Sequence, residues 1–201
     1  MTQDGKILRH SLILINKMET TEIYIIKVIS YRESSNLYEA IAKGYGKITL
    51  IHKGIRSNVK KNDLELFIPY RINWSGKGGI KFLREYEIIH HIDYTPTHHI
   101  IGMYYNELLY YLTKSDFHIE KLYEHYDYSL RSLLSSKNFL INLNNFEIGI
   151  LILTGHYIIF DRDTDDAALD PSQSYSYIPD IGPQLQKNHK DIYKGETLMA
   201  L

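Results

Sequence analysis

Two hydrophobic periods divide the chain near residue 91. From Glu22 to about His91, apolar residues form short β-branched and aromatic runs separated by glycine, a pattern typical of β-strands. It predicts five strands, at residues 23–30, 37–42, 47–52, 67–74 and 79–89. Glycine-rich stretches at 43–46 and 75–79 predict hairpin connections, because glycine accepts positive φ. Five short strands with such turns favour a small barrel or sandwich.

Alternation within the third predicted strand separates two sets of side chains. Ile48 and Leu50 lie on one face, whereas Lys47, Thr49 and Ile51 lie on the other. We therefore expect one face of this strand to point into the core.

Beyond Pro96, apolar residues recur every three or four positions, which predicts amphipathic helices. The first runs to Leu112, the second covers about 119–133 with its N-cap at Ser115 or Asp116, and the third covers about 139–153. Gly155 is placed to end the third helix. From residue 161 onward no clear period remains, and we expect loops there.

Composition narrows the class of protein. The 201 residues include no cysteine, which excludes disulfides, thiolate zinc sites, iron–sulfur clusters and cysteine nucleophiles. No apolar run reaches the roughly 18 residues of a membrane span, so we expect a cytoplasmic protein without membrane contact. The net charge of −1 combines two unlike parts: residues 1–90 carry 15 Lys or Arg and 9 Asp or Glu, and residues 91–201 carry 8 and 15. A basic first part suggests a polyanionic partner.

Motifs of enzymes and metal sites are weak. His90, His91, His98 and His99 lie close in sequence, but their spacing does not present ligands to one point, so we interpret them as surface histidines. Residues 161–166 resemble the start of a calcium loop but lack its glycine and its final glutamate, which indicates a solvated acidic turn. We find no nucleophile, phosphate-loop or metalloprotease motif, and we expect no enzyme and no cofactor.

Basic and aromatic residues alternate through the strand region. The cations stand at predicted strand ends and loops, and the rings include Tyr38, Tyr45, Tyr70, Trp74 and Phe82. Such a pattern fits single-stranded nucleic acid, whose phosphates pair with cations and whose bases stack on exposed rings. It fits equally well a core of aromatic residues beneath a soluble surface.

Seven motifs in order carry a family resemblance. They are Ser-Tyr-Arg-Glu-Ser-Ser at 30–35, Gly-Lys-Ile-Thr-Leu-Ile-His-Lys-Gly-Ile-Arg at 46–56, Leu-Glu-Leu-Phe-Ile-Pro at 64–69, Gly-Lys-Gly-Gly-Ile-Lys-Phe-Leu at 76–83, Tyr-Tyr-Asn-Glu-Leu-Leu at 104–109, Asp-Phe-His at 116–118 with Leu-Tyr at 122–123, and Phe-Glu at 146–147. Over about residues 22–160 this order resembles the RecO family of bacterial recombination mediators.

The resemblance implies an α+β fold, with an N-terminal five-stranded OB-fold barrel followed by an α-helical domain. We expect an N-terminal extension at 1–21, the DNA-binding barrel at 22–92 and the helical domain at 93–201 with an irregular, shortened C-terminal region. The implied function is DNA repair and recombination, by binding and annealing DNA strands and helping to load a recombinase. The implied partners are single- and double-stranded DNA, RecR and the acidic tail of single-strand binding protein, in the cytoplasm at the nucleoid.

DNA-binding residues follow from the motifs and the charge pattern. We expect phosphate contacts from seven cations: Lys47, Lys53, Arg56, Lys60, Lys61, Lys77 and Lys81.

Three departures from the family pattern modify these expectations. The chain lacks the four cysteines of the zinc site that many members have, so we expect no zinc. Asn144 and Asn145 replace an Arg pair, which weakens the case for an acidic tail as partner. The family pattern begins near Met18, which we expect to be the native start. The competing hypothesis is a protein-interaction scaffold, or a degraded family member, without direct DNA binding.

Overall fold

The computed structural model of the chain describes residues 18–31, 35–53, 64–115, 118–156, 158–186 and 192–200. The proposed extension before Met18, the loop at 54–63 and Asp116 lie outside the described residues. The chain forms two compact units, Met1–Lys137 and Asn138–Leu201. We describe each unit by itself.

The first unit begins with a closed five-stranded barrel, as the resemblance implies. The strands are β1 (Glu19–Tyr31), β2 (Ser35–Ala42), β3 (Gly46–Lys53), β4 (Pro69–Ser75) and β5 (Ile80–Ile88). Around the barrel the order is β1-β2-β3-β5-β4, and β4 pairs with β1 to close it. The β3–β5 pair is parallel and the other four are antiparallel. This is the strand arrangement of an OB-fold.

Alternate side chains of the strands fill the barrel interior. Ile48 and Leu50 of β3 belong to the buried cluster, so of the two faces of this strand theirs points into the barrel. Tyr38, Tyr70 and Trp74 are in the same cluster. Large aromatic and β-branched side chains fill a small barrel well, because each strand contributes only two or three inward positions.

Both predicted glycine turns connect antiparallel strands. Gly44 and Gly46 adopt φ of 77° and 78° after β2, and Gly76 adopts φ of 111° after β4. These left-handed conformations strain residues that have a Cβ, so the positions require glycine.

Two helices complete the first unit: α1 (Pro96–Leu112) and α2 (Leu122–Ser135). Helix α1 packs on β1, and α2 packs on β2. A capping box starts α1, in which the His98 N–H donates to Thr95 Oγ1 and the Thr95 N–H donates to His98 Nδ1. The expected N-cap of the second helix at Ser115 or Asp116 is wrong, because α2 starts after Lys121, which adopts φ of 63° and makes no side-chain cap.

A tyrosine on β1 joins α2 to the barrel. Tyr24 is fully buried, and its hydroxyl donates a hydrogen bond of 2.6 Å to Asp127 Oδ1. Its ring contacts Tyr123 and Tyr126, with ring centres 5.4 and 5.2 Å away. Arg131 holds Asp127 through Nε, which lies 2.9 Å from both carboxylate oxygens.

The second unit contains α3 (Phe139–Leu153), three strands and a short last helix. Gly155, at φ of 91°, follows α3 as expected. Strands β6 (Ser174–Ile178), β7 (Gly182–Leu185) and β8 (Tyr193–Lys194) form a sheet in the order β7-β6-β8, and α4 (Gly195–Met199) follows. This sheet was not expected. Strand β6 alternates Ser and Tyr, but β7 and β8 are too short to show alternation, and Pro183 is tolerated because β7 is an edge strand.

The boundary between the two compact units lies at a different place from the expected boundary between a barrel at 22–92 and a helical domain at 93–201. Helices α1 and α2 group with the barrel, and the division falls after Lys137. None of the helices in the described part of the chain is both long enough and apolar enough to span a membrane.

Candidate nucleic-acid interface

The outer surface of β3 and β5 forms the candidate interface, which we call the β3–β5 face. In the parallel register of these two strands, Thr49 is paired with Ile80 and Ile51 with Phe82. Because Leu50 and Leu83 point into the core, the alternate residues of both strands point outward. Phe82 of β5 therefore lies on this face, next to the strand that ends at Lys53.

Arg84 is the cation that sequence reasoning missed. It is exposed, its Nε donates to Ser75 Oγ at 2.9 Å, and its guanidinium lies 5.6 Å from the centre of the Phe82 ring. These contacts hold the side chain over an aromatic surface. These contacts identify its position on this face, because β5 is irregular at Arg84: Asn73 pairs with Glu85 and Trp74 with Leu83, which leaves Arg84 as the extra residue of a β-bulge. Simple alternation in the sequence does not predict where Arg84 points.

Lys77 lies at the tip of the β4–β5 turn, where it is exposed. Ile80, the first residue of β5, lies about 13 Å from Arg84 along the strand. Lys77 precedes Ile80 in the turn, so the two described cations of this face, Lys77 and Arg84, together span the length of several phosphates of a nucleic-acid strand.

Lys81 has a different environment from the one expected. It is 8% exposed, because it is paired with Leu50 on the inward side of the two strands. Its Nζ donates to the Gly78 carbonyl at 2.6 Å and lies 5.8 Å from the centre of the Trp74 ring. The ammonium closes the hairpin, so we leave Lys81 out of the proposed DNA surface.

Lys47 faces outward as its strand position predicts, but it is only 5% exposed. Its Nζ donates to the Tyr110 carbonyl in the last turn of α1 at 2.8 Å. Burial lowers the pKa of Lys47, while the negative charge of Glu39 acts in the opposite direction. This ammonium caps a helix and is not presented to solvent, so we leave Lys47 out as well.

The side chains of the other four expected cations lie outside the part of the chain that the structure describes. The backbone of Lys53 ends β3, and its side chain lies outside the described part. Arg56, Lys60 and Lys61 lie outside the described residues altogether. They stay predictions, and they follow directly from the end of β3 in the chain.

The five aromatic residues of the sequence pattern have separate roles. Tyr38, Tyr70 and Trp74 are buried in the barrel, and the Tyr45 ring packs edge-on against Trp74. Phe82 is half-buried on the β3–β5 face. Most of the aromatic pattern therefore reflects core packing. Tyr45 is also half-buried, but its hydroxyl donates to Glu19 and its ring packs on Trp74, so Phe82 is the better candidate for a surface contact with a base.

The outer surface of β1, β4 and β5 has the opposite electrostatic character, and we call it the acidic face. Arg71 Nη1 donates to Glu87 at 2.9 Å, and its Nη2 lies 3.5 Å from Glu22. Hydrogen bonding and the charge of Glu87, followed by Glu22, raise the pKa of Arg71. Glu85 accepts a hydrogen bond from Asn73 beside them. Glu87 and Glu22 pair with Arg71, Glu22 also pairs with Lys43 at 3.2 Å, and Glu85 is a third carboxylate. Carboxylates thus outnumber cations in this group, which disfavours phosphate binding here.

Histidines and aspartates that invited a metal interpretation make structural contacts. His98 caps α1, and His99 Nδ1 lies 3.0 Å from the Thr95 carbonyl. Asp163 Oδ1 accepts hydrogen bonds from the backbone N–H groups of Asp165 and Ala167, which forms a turn. Within the described ranges, no group of three or more metal-binding side chains lies close enough to hold an ion.

Comparison with known proteins supports the assignment of the barrel to a known family. The family described as "Recombination protein O N terminal" matches residues 17–92, which include all five strands. The DNA repair protein RecO of Aliivibrio fischeri is 30% identical over 177 residues, which cover 85% of this chain and 74% of that protein. The chain belongs to the RecO family.

Two further RecO relatives extend the match over most of the chain. The protein of Psychromonas ingrahamii is 26% identical over 192 residues, covering 92% of this chain and 82% of its own length. That of Coxiella burnetii is 29% identical over 186 residues, covering 89% and 79%. Both are named DNA repair protein RecO. The resemblance seen in the motifs is thereby confirmed.

Proposed function

We propose that this RecO family member acts in DNA repair and recombination by binding single- and double-stranded DNA on the β3–β5 face. One observation carries the proposal: a closed OB-type barrel presents Arg84 over Phe82 on a face that leads to the cationic segment after Lys53. The acidic face on other strands would orient DNA toward this surface.

The mechanism is electrostatic and needs no catalytic group. Exposed cations replace the counterions of the phosphates, so binding gains free energy from counterion release. Contact of a base with Phe82 adds a smaller, sequence-tolerant contribution. A protein that holds single strands in this way brings complementary strands together, and we propose annealing as its activity.

Partner binding completes the proposed role. We propose RecR as a partner and loading of a recombinase onto coated single strands as the outcome, in the cytoplasm at the nucleoid. The acidic tail of single-strand binding protein is a weaker candidate, because neutral Asn144 and Asn145 lie exposed on α3. A bound carboxylate terminus would be held better by guanidinium groups.

A salt series with fluorescent single-stranded DNA tests the proposal. We compare the unmodified protein with a double variant, Lys77→Glu/Arg84→Glu, and measure anisotropy at increasing salt. The unmodified protein should bind more weakly as salt rises. The double variant should bind more weakly at low salt, and the slope of log affinity against log salt should fall in magnitude by about 1.4, since each lost contact to a single strand removes about 0.7.

Arg71→Glu is the matched control for the single variant Arg84→Glu, because it makes the same charge change on an exposed residue of the acidic face. It should leave the slope unchanged. A second double variant, Lys53→Glu/Arg56→Glu, tests two predicted cations whose side chains lie outside the described part of the chain. A flat salt response of the unmodified protein would reject DNA binding and favour the protein-interaction scaffold. Equal effects of Arg71→Glu and Arg84→Glu would reject the β3–β5 face.

A further inference from the structure

Ser75, the last residue of β4, lies opposite Phe82 of β5 in the antiparallel register of the two strands. Side chains of paired residues point to the same side of a sheet, so Ser75 lies on the β3–β5 face together with Phe82. Phe82 is half-buried there, whereas Ser75 is only 4% exposed. A hydroxyl that is buried beneath an outer surface normally has a hydrogen-bond partner. The partner of Ser75 is Arg84.

The β-bulge at Arg84 makes this contact possible. The extra residue of a bulge leaves the regular alternation, so its side chain is aimed in a new direction. Here Arg84 is directed toward the hairpin, where its Nε donates to Ser75 Oγ at 2.9 Å and its guanidinium lies 5.6 Å from the centre of the Phe82 ring. The ring itself lies against Gly76, because a Cβ on that residue would be 3.3 Å from Phe82 Cδ2. Arg84 is therefore held by a hydrogen bond and by an aromatic surface.

The hydrogen bond to Ser75 uses only one of the five N–H groups of the Arg84 guanidinium. It engages Nε, and within the described residues neither Nη1 nor Nη2 has a hydrogen-bond partner. These two nitrogens form a planar edge that can donate to two oxygens of one phosphate. Because the Arg84 side chain is exposed, this edge is open to a ligand at the surface.

We propose that Ser75 is a positioning residue for DNA binding, which holds Nε of Arg84 so that Nη1 and Nη2 bind two oxygens of one phosphate. An arginine that is already held loses less rotamer freedom when the phosphate binds. The proposal rests on DNA binding by the β3–β5 face and adds a residue that acts through Arg84. It also requires arginine at position 84, because a lysine carries a point charge without a planar pair of donors.

A double-mutant cycle on the full chain tests the proposal, with fluorescent single-stranded DNA and anisotropy at low salt. Ser75→Ala changes no charge, but it should weaken binding about fivefold, the effect of one hydrogen bond. Arg84→Met removes the guanidinium and keeps an apolar stem. In the Arg84→Met background, Ser75→Ala should have no further effect on affinity. A serine with a structural role alone would weaken binding equally in both backgrounds.

Arg84→Lys tests the planar edge. It keeps the positive charge, so the salt dependence should stay close to that of the unmodified protein, but the affinity should fall about fivefold. Arg84 is exposed, so this variant tests the proposal even where Ser75→Ala unfolds the protein. Thermal melting shows whether each variant is folded.

Thr21→Val is the matched control, because it removes another buried hydroxyl of the barrel. Thr21 is 8% exposed, and its Oγ1 donates to the Lys43 carbonyl at 2.8 Å. The control should leave DNA affinity unchanged. Full affinity of Ser75→Ala, an equal loss in the Arg84→Met background, or full affinity of Arg84→Lys would each overturn the proposal while DNA binding by the face stands. A flat salt response of the unmodified protein would reject the face itself, and the role of Ser75 with it.

Discussion

Replacement of Lys47 by methionine should destabilise the protein without weakening DNA binding. Methionine keeps the length and apolar character of the lysine stem and removes only the ammonium. That ammonium is nearly inaccessible and donates to the Tyr110 carbonyl at 2.8 Å. The variant therefore separates a helix cap from a phosphate contact.

The size of the effect follows from the contacts of the ammonium. A hydrogen bond to a charged group contributes about 1.5–3 kcal/mol, and its loss leaves a carbonyl at the negative end of α1 without this donor. Nearby Glu39, 9% exposed, also loses a positive neighbour. Relief of the desolvation of Lys47 offsets part of this loss, so we expect a net loss of about 2 kcal/mol. For a chain of this size that corresponds to a decrease of about 4–8 °C in Tm.

The assay pairs Lys47→Met with Lys77→Met. Thermal unfolding by circular dichroism and DNA binding by anisotropy are measured on both variants. Lys77 is exposed at the hairpin tip, so its replacement should weaken DNA binding and leave Tm unchanged. The reasoning is refuted if Lys47→Met keeps the Tm of the unmodified protein, or if it weakens DNA binding as strongly as Lys77→Met does.

Two further predictions concern packing and titration. A Cβ on Gly102 would lie 2.7 Å from Phe67 Cε1, so Gly102→Ala should lower the free energy of unfolding in urea by about 1–3 kcal/mol. Gly78→Ala, with nothing within 4 Å, should change it by less than about 0.5 kcal/mol; equal effects would contradict this. Burial raises the pKa of Tyr94 to about 12, and burial with the hydrogen bond to Asp127 raises that of Tyr24 further. Above about pH 10 these two tyrosines stay protonated in the folded state, whereas they lose their protons in the unfolded state. The stability that depends on their protonated form is therefore full below about pH 10 and is lost as pH rises through the folded pKa. Urea unfolding from about pH 8 to pH 11 should show falling stability at the alkaline end, and a flat profile would contradict it.

The barrel was predictable because its signals are local. Each strand is bounded by glycine or a polar turn, and alternation placed Ile48 and Leu50 on one face of β3, which the structure shows to be the buried face. The small sheet of the second unit could not be predicted, since β8 has two residues and β7 contains Pro183. Strands of that length exist only through their neighbours.

The cations of the candidate interface show the same limit to prediction from the sequence. Lys47, Lys77, Lys81 and Arg84 are similar in the sequence, but one caps a helix, one closes a hairpin and two are exposed. Strand parity identifies Lys81 as inward once the bounds of β5 are known, but the bulge at Arg84 interrupts the alternation there. It cannot identify Lys47 as covered, because the cover comes from a helix more than sixty residues later in the chain.

The cap that Lys47 places on α1 affects how the protein can be divided. A fragment that ended at the last barrel strand would uncover Tyr24, whose hydroxyl and ring make their contacts with α2. It would also leave the Lys47 ammonium without the Tyr110 carbonyl. The smallest piece suited to isotope labelling or fusion therefore ends near Lys137, where the first compact unit ends, and the OB barrel with its two helices is best engineered as one module.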